Sequence, residues 1–189
     1  MEINKKFKLI KFVQITKFNK FRSLKILKIR NERNIRNNMI NNHIISAKEH
    51  IKWFRNKIID KKNIVFYEII FNNQLIGLIS LTNIDKKNKS LEWSFYITNK
   101  YQNYYGALIE LKFLDHLFKK IKFINKLNCK VLGFNIAVVK LHQKFGFKIE
   151  GEIRDYLFRD KIFVNLFYLG VKKNECLEQI KIIKKKFKI

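Results

Sequence analysis

Proline is absent from the 189 residues, glycine occurs six times, and cysteine and methionine occur twice each. The 15 acidic side chains face 41 Lys and Arg, for a formal net charge of +26. Each scarcity excludes something. Cys129 and Cys176 cannot form a disulfide framework and lack the paired spacing of a zinc site, and the four His add no ligand arrangement, so no metal is expected. No Gly/Ser linker and no internal repeat marks a second domain. The apolar stretches are broken by Lys, Asn or Glu and never approach the roughly 18 to 20 residues of a membrane-spanning helix. The start, MEINKKFKLIKFVQITKF, alternates apolar residues with Lys and Gln and has no signal-peptide core, so a reducing cytoplasm is the expected setting.

What remains is a foldable chain. Apolar residues make up 47% and aromatics 14%, which excludes a disordered polycation, and the length fits one domain better than two. The charge carries two readings. Abundant Lys, Asn and Ile without Pro is what A/T-rich codon usage produces whatever the function. The resulting field still concentrates anions, and nucleotides, phosphorylated cofactors and RNA all qualify.

Periodicity gives an element order. Residues 7–14 alternate weakly as a strand. Leu24, Ile26, Leu27 and Ile29 suit a helix over about 21–29, followed by a polar stretch to Asn38. Ser46 to Glu49 has the capping-box order, opening a helix over about 47–58. Residues 63–71 and 74–84 around Asn72 and Asn73 read as a β-hairpin, and 91–98 as a further strand. Residues 101–107 read as a loop running into a helix over about 106–122, where Ala107, Leu108, Leu111, Leu114, Leu117, Phe118 and Ile121 recur at helical spacing. A strand over 127–133, a helix over 135–145 and strands over 147–158 and 161–171 follow. Residues 1–172 form one domain on this reading, and 173–189 a basic tail, helical with a fraying end. The order predicts a mixed α+β layer structure.

Residues 128–156, NCKVLGFNIAVVKLHQKFGFKIEGEIRDY, place Asn135, Ala137, Leu141 and a Gly146-Phe147 turn after a strand. This segment resembles the second signature of the GNAT acetyltransferases, and the element order over nearly the whole chain is similar to theirs. The resemblance implies the GNAT fold, a mixed and mostly antiparallel sheet flanked by helices, with acetyl-CoA as cosubstrate. The start of the 106–122 helix offers unpaired N–H groups and the positive end of a dipole, a seat for a pyrophosphate. The family writes the preceding loop as Gln or Arg, two residues, Gly, one residue, then Gly or Ala. Here Gln102, Asn103, Tyr104, Tyr105, Gly106 and Ala107 keep the first and last positions, and Tyr105 puts a ring where Gly is expected. The resemblance also implies that the backbone of Tyr96, Ile97 and Thr98 bonds pantetheine, with Asn135 holding it from the far side. His142 takes the position of a Tyr that protonates the departing thiolate, a task that an unperturbed imidazole pKa of about 6.5 suits. Asn135 equally suits a helix N-cap, and His142 a packing position beside Phe145.

The amino-terminal part is similar to one GNAT branch, the nucleotide-linked aminosugar N-acetyltransferases of the pseudaminic acid pathway. The matching residues are Arg30 and Asn31, His43 to Ser46, Glu49 to Phe54, and Leu81 to Ile97. The likeness implies acetylation of the 4-amino group of a UDP-linked 4-amino-4,6-dideoxy sugar used in flagellin glycosylation. Met39, Trp53 and Trp93 would line the sugar pocket, and Arg30, His50 and Thr82 would bind the nucleotide diphosphate. Each Trp, taken singly, also suits the core. The branch often carries a Glu where this chain has Lys130, which leaves Glu92 as the substitute base by position.

The expected reaction is direct transfer in a ternary complex, without a covalent enzyme intermediate, and Cys129 counts as an inert core residue. Two other readings compete: an acetyltransferase of protein N-termini such as those of ribosomal proteins, and a degenerate scaffold that binds nucleotide or RNA without catalysis. The expected partners are a nucleotide sugar and acetyl-CoA, with neither membrane nor nucleic acid. A homodimer is compatible with the sequence.

Overall fold

The computed structural model describes residues 2–59 and 63–189, without the side chains of Glu2, Asn103 and Tyr104. The strands are β1 (Ile10–Gln14), β2 (Ile64–Phe71), β3 (Gln74–Asp85), β4 (Ser90–Ile97), β5 (Lys126–Leu132), β6 (Lys148–Arg159) and β7 (Ile162–Lys172). Their order in the sheet is β1-β2-β3-β4-β5-β7-β6. The helices are α1 (Glu2–Leu9), α2 (Lys20–Arg30), α3 (Arg33–Asn37), α4 (Ala47–Ile59), α5 (Gln102–Lys120), α6 (Ile136–Gln143) and α7 (Lys173–Phe187). β4 and β5 pair in parallel, whereas β1-β2, β2-β3, β5-β7 and β6-β7 are antiparallel, so the sheet is mixed and mostly antiparallel. The α+β class is as expected. The chain divides into two compact units, residues 1–84 with 93–109 and residues 85–92 with 110–189.

In the first unit the expected strand over 7–14 begins only at Ile10, and α1 precedes it. Ile3, Phe7 and Ile10 recur at helical spacing, and that period wins over the weak alternation. α3 is a second helix that the polar stretch after α2 concealed; it buries Ile35. α2 is capped by Asn19, whose side chain accepts from the Arg22 N–H at 3.0 Å. The capping box of α4 forms by half. Ser46 Oγ accepts from the Glu49 N–H at 3.2 Å, but the Glu49 carboxylate turns to His43 at 3.1 Å. The β2-β3 hairpin closes on Asn72 and Asn73, with φ of 47° and 61°, which matches a type I′ turn. Ile26, Phe54, Ile58, Phe66 and Leu78 form its core, with Tyr96 packed against them.

In the second unit, Ser90–Glu92 of β4 run beside Lys126–Asn128 of β5. Leu111, Phe113, Leu114, Leu117 and Phe118 of α5 are buried. The β6-β7 hairpin turns tightly at Asp160 and Lys161, both at positive φ. The basic tail is a packed helix: α7 buries Cys176 and Ile180, and Lys184 Nζ lies 2.7 Å from Asp115 Oδ2. No described helix is long and apolar enough to cross a membrane.

Candidate active site

The segment 101–107, expected as a loop, is helical. A 3-10 turn at Asn99–Tyr101 leads straight into α5 at Gln102, four residues before the expected start. The cause is aromatic. Tyr101 and Tyr105, one turn apart, have ring centroids at 5.2 Å, and both close on Phe71, at 5.5 and 4.7 Å. A Tyr in place of Gly removes backbone freedom and supplies the ring that pins the turn. The Gln102 N–H already donates to the Asn99 carbonyl of the preceding turn, and Gly106 and Ala107 lie inside the helix. The side chains of Asn103 and Tyr104 lie outside the described residues. Lys100 Nζ sits 5.6 Å from the Tyr101 ring and Lys6 Nζ 6.0 Å from the Tyr105 ring, adding positive charge at the helix start. The Tyr105 ring is packed onto Phe71.

The strand end before it is already engaged. Gln102 Nε2 donates to the Ile97 carbonyl at 3.1 Å, and the Thr98 N–H donates to the Ile76 carbonyl at 2.8 Å. Two of the backbone groups expected to meet pantetheine along Tyr96 to Thr98 thus have partners. The Thr98 hydroxyl and the Asn99 N–H both donate to the Glu32 carboxylate, at 2.5 and 2.8 Å. Sequence reading missed Glu32, whose signal is an isolated acid in a run of Asn and Arg.

Arg30 ends α2. Its Nη2 donates to the Asn41 carbonyl at 2.8 Å, whereas Nη1 is buried with no hydrogen-bond partner among the described residues. His50 on α4 is buried and bonded to the Ser23 backbone, and its Nε2 likewise has no such partner. Burial lowers the His50 pKa and the Arg30 charge adds to the effect, so the imidazole is neutral at pH 7. His50 stacks on Phe54 at 5.3 Å and lies 6.0 Å from Trp53, which is 44% exposed. Burial raises the Tyr96 phenol pKa against the opposing charge of Arg30. The structure therefore groups Arg30, His50, Trp53 and Tyr96.

Met39 follows α3 and is half-buried, and Thr82 is half-buried on β3 opposite Ile64. Trp93 is a correction. At 1% exposed and stacked near Phe95 it belongs to the core, not to a pocket wall.

In the second unit, Asn135 takes the N-cap position of α6 but makes no capping hydrogen bond with its side chain. His142, on the same helix, is 4% exposed and packs its ring near Phe147 at 5.2 Å, where the sequence suggested Phe145. Its Nδ1 lies 2.7 Å from Oε1 of Glu110, a fully buried carboxylate on α5. Burial alone would lower the imidazole pKa, but the charge of Glu110 and the hydrogen bonds that His142 makes to Cys129 and Glu110 outweigh it and push the value up to about 10. Burial raises the Glu110 pKa while His142 pulls it down. The two groups are coupled through the 2.7 Å contact between them, which favours the charged imidazole. Glu110 Oε2 is buried without a hydrogen-bond partner among the described residues. Glu110 was also missed, although a Glu on the stripe of Ala107, Leu111 and Leu114 is a visible break in the pattern.

Cys129 is buried as expected but bonds His142 rather than merely packing. Glu92 is committed elsewhere: its Oε2 lies 3.1 Å from Lys130 Nζ, which also sits 5.0 Å from the Tyr168 ring.

The sequence matches the acetyltransferase (GNAT) domain family over residues 23–161. The chain belongs to the GNAT family and is an N-acetyltransferase. It is 22% identical over 139 residues, 73% of this chain and 78% of the relative, to the SPbeta prophage-derived uncharacterized N-acetyltransferase YokL of Bacillus subtilis. It is 25% identical over 109 residues, 57% of this chain and 58% of the relative, to the putative ribosomal N-acetyltransferase YdaF of the same organism. Its fold is similar to that of the Vibrio cholerae spermidine N-acetyltransferase solved with CoA and spermine, with a TM-score of 0.77 at 20% identity over 90% of this chain and 99% of that one. A dodecameric structure of that enzyme in an intermediate state gives 0.74 at 18% identity, over 91% and 98%. These relatives are not enzymes of the pseudaminic acid pathway, which the amino-terminal likeness implied.

Proposed function

We propose that this acetyltransferase takes its acetyl group from acetyl-CoA and places it on the primary amine of an anionic acceptor, of which a nucleotide-linked 4-amino sugar is the type. The observation that carries the reading is the buried guanidinium nitrogen of Arg30, without a partner beside the neutral His50 and the half-exposed Trp53. A buried guanidinium N–H left unmade is costly, and phosphate or carboxylate oxygens satisfy it best. Trp53 offers a flat apolar face to a deoxy sugar.

A polyamine acceptor fits poorly. It would meet a chain of net charge +26, and every described carboxylate of the first unit already has a partner: Glu32 with Thr98, Glu49 with His43, and Glu68 with Arg22. The YdaF likeness favours a second reading, a ribosomal protein N-terminus as acceptor.

In the transfer, the neutral amine attacks the thioester carbonyl, the C–N bond forms, the C–S bond breaks, and the nitrogen gives up its extra proton to water. Asn135 orients the pantetheine arm, and the His142 imidazolium supplies the proton that the sulfur takes up. His142→Gln keeps a donor for Glu110 but cannot deliver a proton, so kcat should fall by about 10²-fold with coenzyme A affinity unchanged. An unaltered kcat removes His142 from the reaction.

The acceptor is decided by thiol release from acetyl-CoA with a UDP-linked 4-amino sugar, a ribosomal N-terminal peptide, spermidine and no acceptor in parallel. Turnover with the nucleotide sugar is expected, and Arg30→Met should raise its KM by about 10- to 100-fold with little change in kcat. Turnover confined to spermidine would sink the anionic reading, and turnover confined to the peptide would establish the second one.

A further inference from the structure

Glu32 is the single acid between residues 3 and 48, a stretch that carries 13 Lys and Arg. It stands at the corner where α2 ends and α3 begins, and its backbone serves both helices. The N–H donates to the Ile29 carbonyl at 3.0 Å, and the carbonyl accepts from the Arg36 N–H at 2.9 Å. The side chain serves neither. It occupies the N-cap position of α3, where an oxygen acceptor is favoured, and makes no capping bond there. It reaches instead across 66 residues of sequence to the end of β4, where Oε1 accepts from the Thr98 hydroxyl at 2.5 Å and Oε2 from the Asn99 N–H at 2.8 Å. Each carboxylate oxygen thus has its own donor, from adjacent residues. Bonds to an ionised carboxylate are stronger than those between neutral groups, and two of them fix direction as well as distance.

Both ends of this link are fastened further. At the corner, Arg36 Nη1 donates to the Asn42 carbonyl at 2.7 Å. The Asn31 side chain donates to the Ile45 carbonyl at 2.8 Å and accepts from the Ile45 N–H at 3.0 Å. With the Arg30 bond to the Asn41 carbonyl, these fold residues 41–45 back onto 30–36. At the strand end, the Thr98 carbonyl accepts from the Tyr101 N–H at 2.9 Å, which ties Thr98 to the turn that opens α5. The Glu32 carboxylate therefore joins two knit segments. One carries Arg30, and the other follows directly on Tyr96 and Ile97.

We infer that Glu32 is a positioning residue for the transfer: it sets the corner bearing Arg30 against the strand end leading into α5, so that the acceptor amine meets the thioester at attacking distance. The inference rests on the reading of Arg30 as the group that holds the acceptor's anion. Glu32 itself touches neither substrate in this role. A misplacement of about 1 Å that originates away from the chemistry costs on the order of 10²-fold in rate, so the loss belongs in kcat.

The test is a double-mutant cycle in kcat, run on the acceptor that is turned over in the parallel assay, with coenzyme A affinity by calorimetry and folding by circular dichroism for every variant. Glu32→Ala should lower kcat at least about tenfold and leave coenzyme A affinity within about threefold. Glu32→Gln, which keeps one acceptor oxygen, should recover part of that loss. Thr98→Val should lower kcat by itself, and adding it to Glu32→Ala should change kcat by less than about twofold, because the bond is already gone. Unaltered kcat in folded Glu32→Ala, or full additivity with Thr98→Val, would overturn the inference, since a merely structural role lowers stability and spares turnover per folded molecule. The reading of Arg30 fails separately, through an unaltered acceptor KM in Arg30→Met. Should Glu32→Ala not fold, or no acceptor be turned over, amide exchange of the unaltered protein with and without coenzyme A decides. Residues 33–39 gain protection together with the start of α5 if the link carries between them, and protection confined to β4 and α5 overturns it.

Discussion

Glu110→Ala should destabilise the folded protein by about 3–5 kcal/mol, because it leaves the buried His142 imidazole without the carboxylate that holds its proton. For a chain of this size the melting temperature should drop on the order of 10 °C. The magnitude follows from the burial of both partners and the 2.7 Å contact between them. Removing the pair together is a different experiment. Glu110→Leu with His142→Phe takes both charges out of the interior and should recover much of the loss, because a buried ion pair gains little over a well-packed apolar one.

The pH dependence has a definite sign. The folded-state pKa of His142, about 10, lies above the unfolded value of about 6.5, so its contribution is complete below about pH 6.5 and is lost as the pH rises through about 10. Denaturant melts of the unaltered protein should weaken across that window, and the double variant should lack the corresponding part of the slope. A double variant with the same slope would show that other groups carry it.

Gly77→Val should be the more damaging substitution for function. A Cβ on Gly77 would run into the Tyr96 carbonyl oxygen, and would lie 2.8 Å from Ile97 Cγ2 and 3.0 Å from Ile97 Cα. Backbone cannot move aside as a flexible side chain can, so β3 must shift away from the end of β4. Overpacking of this kind costs about 1–3 kcal/mol or more. The shifted residues are Tyr96 to Thr98, and Thr98 leads into the turn that starts α5. Coenzyme A affinity, read by calorimetry on protein that still folds, should therefore fall at least about tenfold. Gly77→Ala should show the same direction at smaller size. Unchanged affinity in a folded Gly77→Val protein would mean that this strand end takes no part in holding the donor.

The elements that sequence reading located well are those with two independent local signals. The Asn72-Asn73 hairpin combines flanking apolar strands with residues that accept positive φ, and the segment at 128–156 joins a strand, a helix and a Gly146 turn whose φ is 89°. Where one signal stood alone it failed. The first strand was drawn too long because lysines between apolar residues mimic alternation, and the helix inside it shows only at Ile3, Phe7 and Ile10. The 101–107 segment reads locally as a loop, but the partner that makes it helical, Phe71, lies 30 residues earlier and is invisible to any local window. The pairing of Glu110 with His142 is non-local in the same way. Burial separated the two tryptophans, since Trp93 faces the core on a central strand and Trp53 sits on the open side of α4.

Both sulfhydryls are sealed in the interior, with Cys129 3% and Cys176 0% exposed and burial raising the Cys176 pKa further. A folded sample should therefore react sluggishly with disulfide reagents such as Ellman's compound. The colour in a thiol-trapping assay then reports product alone, and a rising blank becomes a running gauge of how much protein has come undone.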